Sequence, residues 1–107
     1  ALKAAGDESR LRMLILLRGR SLCVSRIAAV LDLAPSTVSR HLKILRESGF
    51  LKRTRDDLRV RYTLAPEGVL QQRILALVEA YLAGSDIFRT DQKQLRQIDR
   101  EFPVRRP

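Results

Sequence analysis

The sequence predicts a mainly α fold with one small β-hairpin, and three observations carry that prediction. Apolar residues recur every third or fourth position over most of the chain, the spacing that gives a helix one buried face. Only between residues 51 and 64 does the spacing change to every second residue, as in strands. Glycine and proline fall at the junctions of these stretches, at Gly19, Pro35, Gly49, Pro66, Gly68 and Gly84, rather than inside them. With 107 residues the chain is expected to form one domain with a modest core.

The first helix opens at Asp7, Glu8 and Ser9, acidic and capping residue types suited to an N-terminus. Leu11, Leu14 and Ile15 then share a face, and Arg18 and Arg20 close the segment near Gly19. Val24, Ile27, Ala28 and Leu31 make a second, shorter helix, which the "DLA" of residues 32–34 interrupts. Pro35 suits a first helical position, where its missing N–H costs nothing, and the third helix runs from there to about Ser48 and stops at Gly49. Val38, Leu42 and Leu45 are its buried face; Ala34 stands where a Ser or Thr cap would be preferred.

In the following stretch Val60, Tyr62 and Leu64 point one way and Arg59, Arg61 and Thr63 the other. Asp56 and Asp57 are turn formers, so two short strands are expected, forming a hairpin with one basic face. Leu70, Ile74, Leu77, Val78 and Tyr81 form an apolar stripe on a further helix, broken at Gly84 and Ser85. A last amphipathic piece carries Phe88, Leu95, Ile98 and Phe102, and "PVRRP" reads as a frayed tail.

Composition narrows the function classes. An apolar fraction of 45% with 31% charged residues describes a folded, water-compatible chain. Aromatics at 5%, with no Trp, weigh against surfaces that stack bases of single strands or RNA. No apolar run approaches the roughly 18–20 residues of a membrane span, and no signal-peptide pattern is present. One cysteine cannot form an internal disulfide, so a cytoplasmic setting is expected. The first residue is Ala, which leaves room for an upstream segment. No glycine-rich phosphate loop, no His paired with a nucleophile motif and no carboxylate cluster suggests an enzyme.

The net charge of +9 is uneven. Residues 1–61 hold 14 Lys/Arg against 6 Asp/Glu, and residues 62–107 hold 7 against 6. Such a division suits one part of the chain to a polyanion and the rest to another task. Two short helices joined by a tight turn, the second rich in polar groups, match a helix-turn-helix. Opposite Val38, Leu42 and Leu45, the third helix presents Ser36, Ser39, Arg40 and Lys43, with Thr37 and His41 on the flanks. These are the donor and acceptor types that read base edges in a major groove, and the Arg40 fork suits a guanine. A basic hairpin directly after such a helix is the layout of a winged helix, with Arg53, Arg55, Arg59 or Arg61 set against phosphates or a minor groove.

With those residues in place, "DESRLRMLILLRGRSLCVSRIAAVLDLAPSTVSRHLKILRESGFLKRTRDDLRVRYTL" resembles the ArsR/SmtB family of bacterial winged-helix repressors over Asp7 to Leu64. Its most specific piece is "STVSRHLKILRESGFL". The resemblance implies a homodimer on a palindromic operator of double-stranded DNA, released by an inducer that is often a metal ion or metalloid. It also implies dimerisation through the helix after the wing, with a short helix before Asp7. The stripe Leu70, Ile74, Leu77, Val78 and Tyr81 suits that role, although it also suits an internal core. The expected organisation is a DNA-binding and dimerisation unit over residues 1–84, with the helix-turn-helix at about 24–48, the wing at about 51–64 and the dimer helix at about 68–83. Residues 85–107 follow as an amphipathic helix and tail.

The chain departs from the best-known members of that family at the inducer site. They carry a Cys-Val-Cys inside the stretch that reads "LCVSRI" here, and the second position is Ser25, a poor ligand for soft metals. Another family site draws Asp and His from the dimer helix, where Leu70 to Leu82 offers only Glu79. No metal site is therefore assigned and no cofactor is certain. Three readings of Cys23 stay open: a small buried hydrophobe, a sensor thiol activated by a helix N-terminus and nearby Arg20 and Arg26, or a metal or metalloid ligand completed by a second protomer or small thiols. The competing class is an architectural protein that binds DNA by charge and does not switch.

Overall fold

The computed structural model describes residues 2–57, 59–82 and 85–101. Six helices and three strands follow in the order α1 (Leu2–Ala5), α2 (Glu8–Leu16), β1 (Ser21–Leu22), α3 (Val24–Leu31), α4 (Pro35–Glu47), β2 (Leu51–Asp56), β3 (Arg59–Leu64), α5 (Val69–Leu82) and α6 (Asp86–Glu101). Gly84, Phe102 and the expected frayed tail lie outside the described residues.

α2 starts where the sequence suggests. Asp7 is extended and its side chain accepts the Arg10 N–H at 3.1 Å, satisfying one of the first-turn donors. Burial would raise the Asp7 pKa, but that bond, the charges of Arg10 and His41 and the Ser9 N–H hold it below the ordinary carboxylate value. The buried surface is wider than the Leu11, Leu14 and Ile15 face: Met13 to Leu17 are all buried, while Leu11 is only partly so. Every other helix touches α2, so its C-terminal half is covered all round. Gly19, with φ 71°, turns the chain into β1.

β1 is the main addition to the expected fold. It pairs antiparallel with β3, Ser21 opposite Thr63 and Leu22 opposite Tyr62, and makes the hairpin a three-stranded sheet of order β1-β3-β2. Two residues are too short a run for alternation to announce a strand. Leu22 and Tyr62 enter the core side by side, which ties the front of α3 to the hairpin.

α3 ends at Asp32, which takes the left-handed conformation (φ 56°, ψ 50°) as its N–H bonds the Ala28 carbonyl. That turn aims α4, which begins at Pro35 and buries Val38, Leu42 and Leu45 completely. Gly49 stops α4 at φ 83°, and an added Cβ would stand 2.9 Å from Gln71 Nε2 and 3.0 Å from Glu67 Oε2. The left-handed conformation is what demands glycine there, since the ends of the Gln71 and Glu67 side chains could shift to admit a Cβ. The carbonyls of Gly49 and Phe50 accept from Glu67 and Ala65, each at 2.9 Å, so the two ends of the hairpin leave from one point.

α6 lies against α2 and α3. Leu95 is buried at its centre, and Asp91, one turn earlier, is only 4% exposed. Arg12 of α2 meets Asp91 with two bonds, Nε to Oδ2 at 2.9 Å and NH2 to Oδ1 at 2.8 Å. Hydrogen bonding to Asp91 raises the Arg12 pKa although burial opposes it. Arg26 NH1 donates to the Ile98 carbonyl at 3.1 Å and lies 3.5 Å from Asp99, Arg20 reaches Gln92 at 3.2 Å, and Arg18 stands over the Phe88 ring at 5.5 Å.

Removing one member of the buried pair strands the other without a partner. Arg12→Ala and Asp91→Ala should each lower the unfolding free energy by about 2–4 kcal/mol in urea titration. The double change Arg12→Met with Asp91→Leu should cost less than either; equal or larger loss would mean that the pair gives more than mutual neutralisation.

Candidate nucleic-acid interface

α4 presents the polar face the sequence assigns to it. Ser36, Ser39, Arg40 and Lys43 are exposed and Thr37 is half-buried, on the side away from Val38, Leu42 and Leu45. Ala34 at the N-cap makes no side-chain cap bond, as its methyl dictates, so the first-turn N–H groups of α4 have no capping side chain. Lys43 lies 3.9 Å from Glu47 one turn on, an exposed pair of small energetic value that a stronger anion would replace.

His41 has a different setting from its helix neighbours. Its ring is half-buried, and Arg10 NH1 meets Nδ1 at 3.2 Å. Arg10 is itself fixed by donating Nε to the Ala4 carbonyl, so His41 belongs to a contact between α4 and the α1–α2 corner. Burial lowers its pKa; Asp7 opposes that, and Arg10 and Arg40 add to it.

The hairpin is basic on both faces rather than one. The register places Arg53 opposite Tyr62 and Arg55 opposite Val60, so these two share the side that carries Leu51 and Tyr62 into the core. Thr54 stands opposite Arg61 and Asp56 opposite Arg59, which puts Arg59 and Arg61 on the other side. Arg53, Arg55 and Arg59 are exposed and Arg61 is half-buried. The strand alternation around Arg59 and Arg61 is legible in the sequence, but the placement of β2 depends on register, which the turn sets.

Ion pairing then separates ten arginines of residues 1–61 into two groups. Arg12, Arg18 and Arg26 each pair with a carboxylate elsewhere in the fold, and Arg10 and Arg20 hydrogen-bond across it. Among the described residues none of Arg40, Arg53, Arg55, Arg59 and Arg61 is in an ion pair. The excess charge of residues 1–61 is therefore partly structural. The arginines of this half open to an outside anion lie on α4 and the hairpin.

The stripe on α5 divides as well. Ile74 and Leu75 are buried, and Val78 packs against the core. Leu70, Leu77 and Tyr81 stand outside at 54%, 70% and 81% exposure, with Val69 beside them. Of the five stripe residues, Ile74 thus serves this chain's own interior, while Leu70, Leu77 and Tyr81 remain uncovered.

Cys23 occupies the N-cap of α3, half-buried, its Sγ 3.2 Å from Ser25 Oγ. Burial alone would raise its pKa; bonds from Ser25 and backbone N–H groups, with the Arg26 charge, hold it below the ordinary thiol value. Among the described residues no three His, Cys, Asp or Glu side chains gather as metal ligands would, and no helix is long and apolar enough to cross a membrane.

Comparison with known proteins adds to this geometry. Residues 7–53 match the family described as bacterial regulatory protein, arsR family. The chain is 41% identical over 66 residues to the arsenic resistance transcriptional regulator ArsR1 of Pseudomonas putida, covering 61% of this chain and 52% of that protein. It is 40% identical over 65 residues to the arsenical resistance operon repressor of Escherichia coli, covering 60% and 56%. The chain thus spans about half the length of the curated relatives it matches. Among solved structures, the transcriptional regulator HlyU of Vibrio vulnificus superposes with a TM-score of 0.65 at 32% identity, over 77% of this chain and 80% of that one. A homodimeric winged helix-turn-helix DNA-binding domain, Mb0332 of Mycobacterium bovis, superposes with a TM-score of 0.62 at 28% identity, over 78% and 76%.

The depressed pKa of His41 has a sign that can be measured. The folded chain binds this proton more weakly than the unfolded chain, so stability is complete above the ordinary value of 6.5 and falls as pH drops through the folded value. Unfolding free energy should therefore decline as pH falls below about 6.5, and His41→Gln should flatten that slope. An identical slope in both proteins would place the titration elsewhere.

Proposed function

The chain belongs to the ArsR family of bacterial regulatory proteins, and on that premise we propose that it is a homodimeric, sequence-specific DNA-binding repressor that a small inducer releases from its operator. The observation that carries the proposal is the gathering of Arg40, Arg53, Arg55, Arg59 and Arg61, none in an ion pair among the described residues, on α4 and the hairpin that follows it. α4 enters the major groove, where Ser36, Thr37, Ser39 and Arg40 meet base edges and Lys43 leaves Glu47 for a phosphate. His41 supports this helix from its flank through Arg10 and is not a base reader in this scheme. The wing grips the flanking backbone, and because its arginines lie on both faces it can straddle a phosphate ridge or enter a minor groove.

Dimerisation rests on the outer side of α5. Val69, Leu70, Leu77 and Tyr81 form an uncovered apolar row on a chain whose other large apolar side chains are mostly buried. A twofold partner would cover that row and present two α4 helices to two half-sites. The homodimeric Mycobacterium bovis domain supports the arrangement, and the Escherichia coli repressor supports the direction of control.

Arg40→Ala should weaken binding to the specific operator by about 1–3 kcal/mol while barely changing affinity for random duplex. Equal loss on both would make Arg40 a phosphate contact. Wild type should prefer its palindrome by about a thousandfold, whereas an architectural protein would show salt-sensitive binding with little preference. Leu77→Asp with Tyr81→Asp should shift sedimentation from dimer to monomer at micromolar concentration and weaken operator binding with it; an unchanged dimer would exclude the outer face of α5.

A further inference from the structure

A cleft of about 590 Å³ opens where the N-terminus of α3, strand β3 and α6 meet. Val24 and Ala29 of α3, Val60 of β3 and Ile98 of α6 give it an apolar wall. Its polar side is Arg26 and Arg59, with Cys23 and Ser25 between them, and no Asp or Glu lines it among the described residues. A recess of about 30 Å³ shares Cys23, Arg26 and Arg59 and extends the lining to Ser21 and Arg61.

The chemistry of this lining selects its ligand. Arg59 and Arg61 have no acidic partner among the described residues. Arg26 is fixed by the Ile98 carbonyl and Asp99, so it forms a rigid edge of reduced charge. Cys23 gives α3 no side-chain cap, and the positive end of the helix therefore adds to the same field. A metal cation would be repelled here, and a wholly polar anion would leave the apolar wall unused. A molecule with one anionic head and a compact apolar body satisfies both sides.

We propose that the cleft binds an amphipathic organic anion, with its carboxylate or sulfonate against Arg59 and Arg26 and its apolar body on Val24, Ala29, Val60 and Ile98, and that this occupation draws Arg59 and Arg61 away from DNA. The first half stands on the cleft alone. The second rests on the proposed repressor function, since it assigns the inducer class for that same wing. Cys23 takes part as a wall residue, and no reaction at sulfur is involved.

Naphthoate is the probe, titrated into nitrogen-15-labelled protein without DNA. Saturable amide shifts should centre on residues 23–29, 59–61 and 98. Ala29→Glu, which places a carboxylate in the cleft from an exposed position, should weaken binding by about tenfold or more while keeping a folded spectrum, and neutral naphthylmethanol should bind wild type at least about tenfold more weakly. No saturable shifts, shifts confined to the Leu70, Leu77 and Tyr81 face, or equal binding of the neutral compound would overturn the site. On labelled operator, saturating naphthoate should lower wild-type affinity by about fivefold or more and leave Ala29→Glu unaffected; unchanged wild-type affinity would overturn the regulatory half. A protein that takes up naphthoate but binds no duplex would overturn the repressor reading and uphold the cleft.

Discussion

The C-terminal half of α2 and its C-cap carry five consecutive apolar residues, Met13 to Leu17, and a helix end that is apolar all round must be covered all round. Each of these side chains contributes about 2 kcal/mol when removed from water, so leaving any side open would be costly in a domain of this size. α1, α3, α4, α5 and α6 all touch α2 in consequence. The polar face of α4 points outward because Val38, Leu42 and Leu45 are committed inward. α5 can spare only Ile74, Leu75 and Val78 for this core, and that limit leaves Leu77 and Tyr81 outside.

The same geometry explains how one strongly basic chain keeps two kinds of arginine. Those on and just after α2, together with Arg26, face α6 or the α1 corner, where carboxylates, carbonyls and a ring are within reach. Those from Arg40 to Arg61 sit on surfaces with few acids, beside Asp56 and Asp57 at the hairpin turn and Glu47 at the end of α4. Unpaired guanidinium groups on a small domain repel one another, which lowers stability and raises affinity for a polyanion. The charge left open to an outside anion is thus held apart from the charge that holds the fold.

Cys23 takes its place from the strand before it and the helix after it. β1 fixes Ser21 and Leu22 against β3, so Cys23 emerges at the N-cap of α3 beside the outer arginines of the hairpin. A second thiolate at position 25 would suit such a position to a soft metal. With Ser25 as its neighbour and Arg26, Arg59 and Arg61 around it, the same position is electropositive and mixed with apolar surface. Ser25 beside these arginines suits a different chemical class of ligand at this corner of the fold.

Local pattern determined much of this protein: the helices from Asp7 onward, the stop at Gly49, the turn at Asp57 (Asp56 itself closes β2), the inward face of α4 and the alternation of β3 are all legible, because period and punctuation act over a few residues. Asp91 left a trace as a charge within the Phe88, Leu95 and Ile98 stripe, and the uneven split of charge marked the arginine-rich half without showing which arginines are paired. Tertiary structure alone decided the rest. β1 exists because β3 offers it an edge, Arg53 and Arg55 part from Arg59 and Arg61 because register is set across strands, and His41 turns to Arg10 because α1 and α2 close over it. Which arginines are paired, and which apolar residues of α5 lie inside, depends on what the folded chain brings near them, and sequence spacing carries no record of those distances.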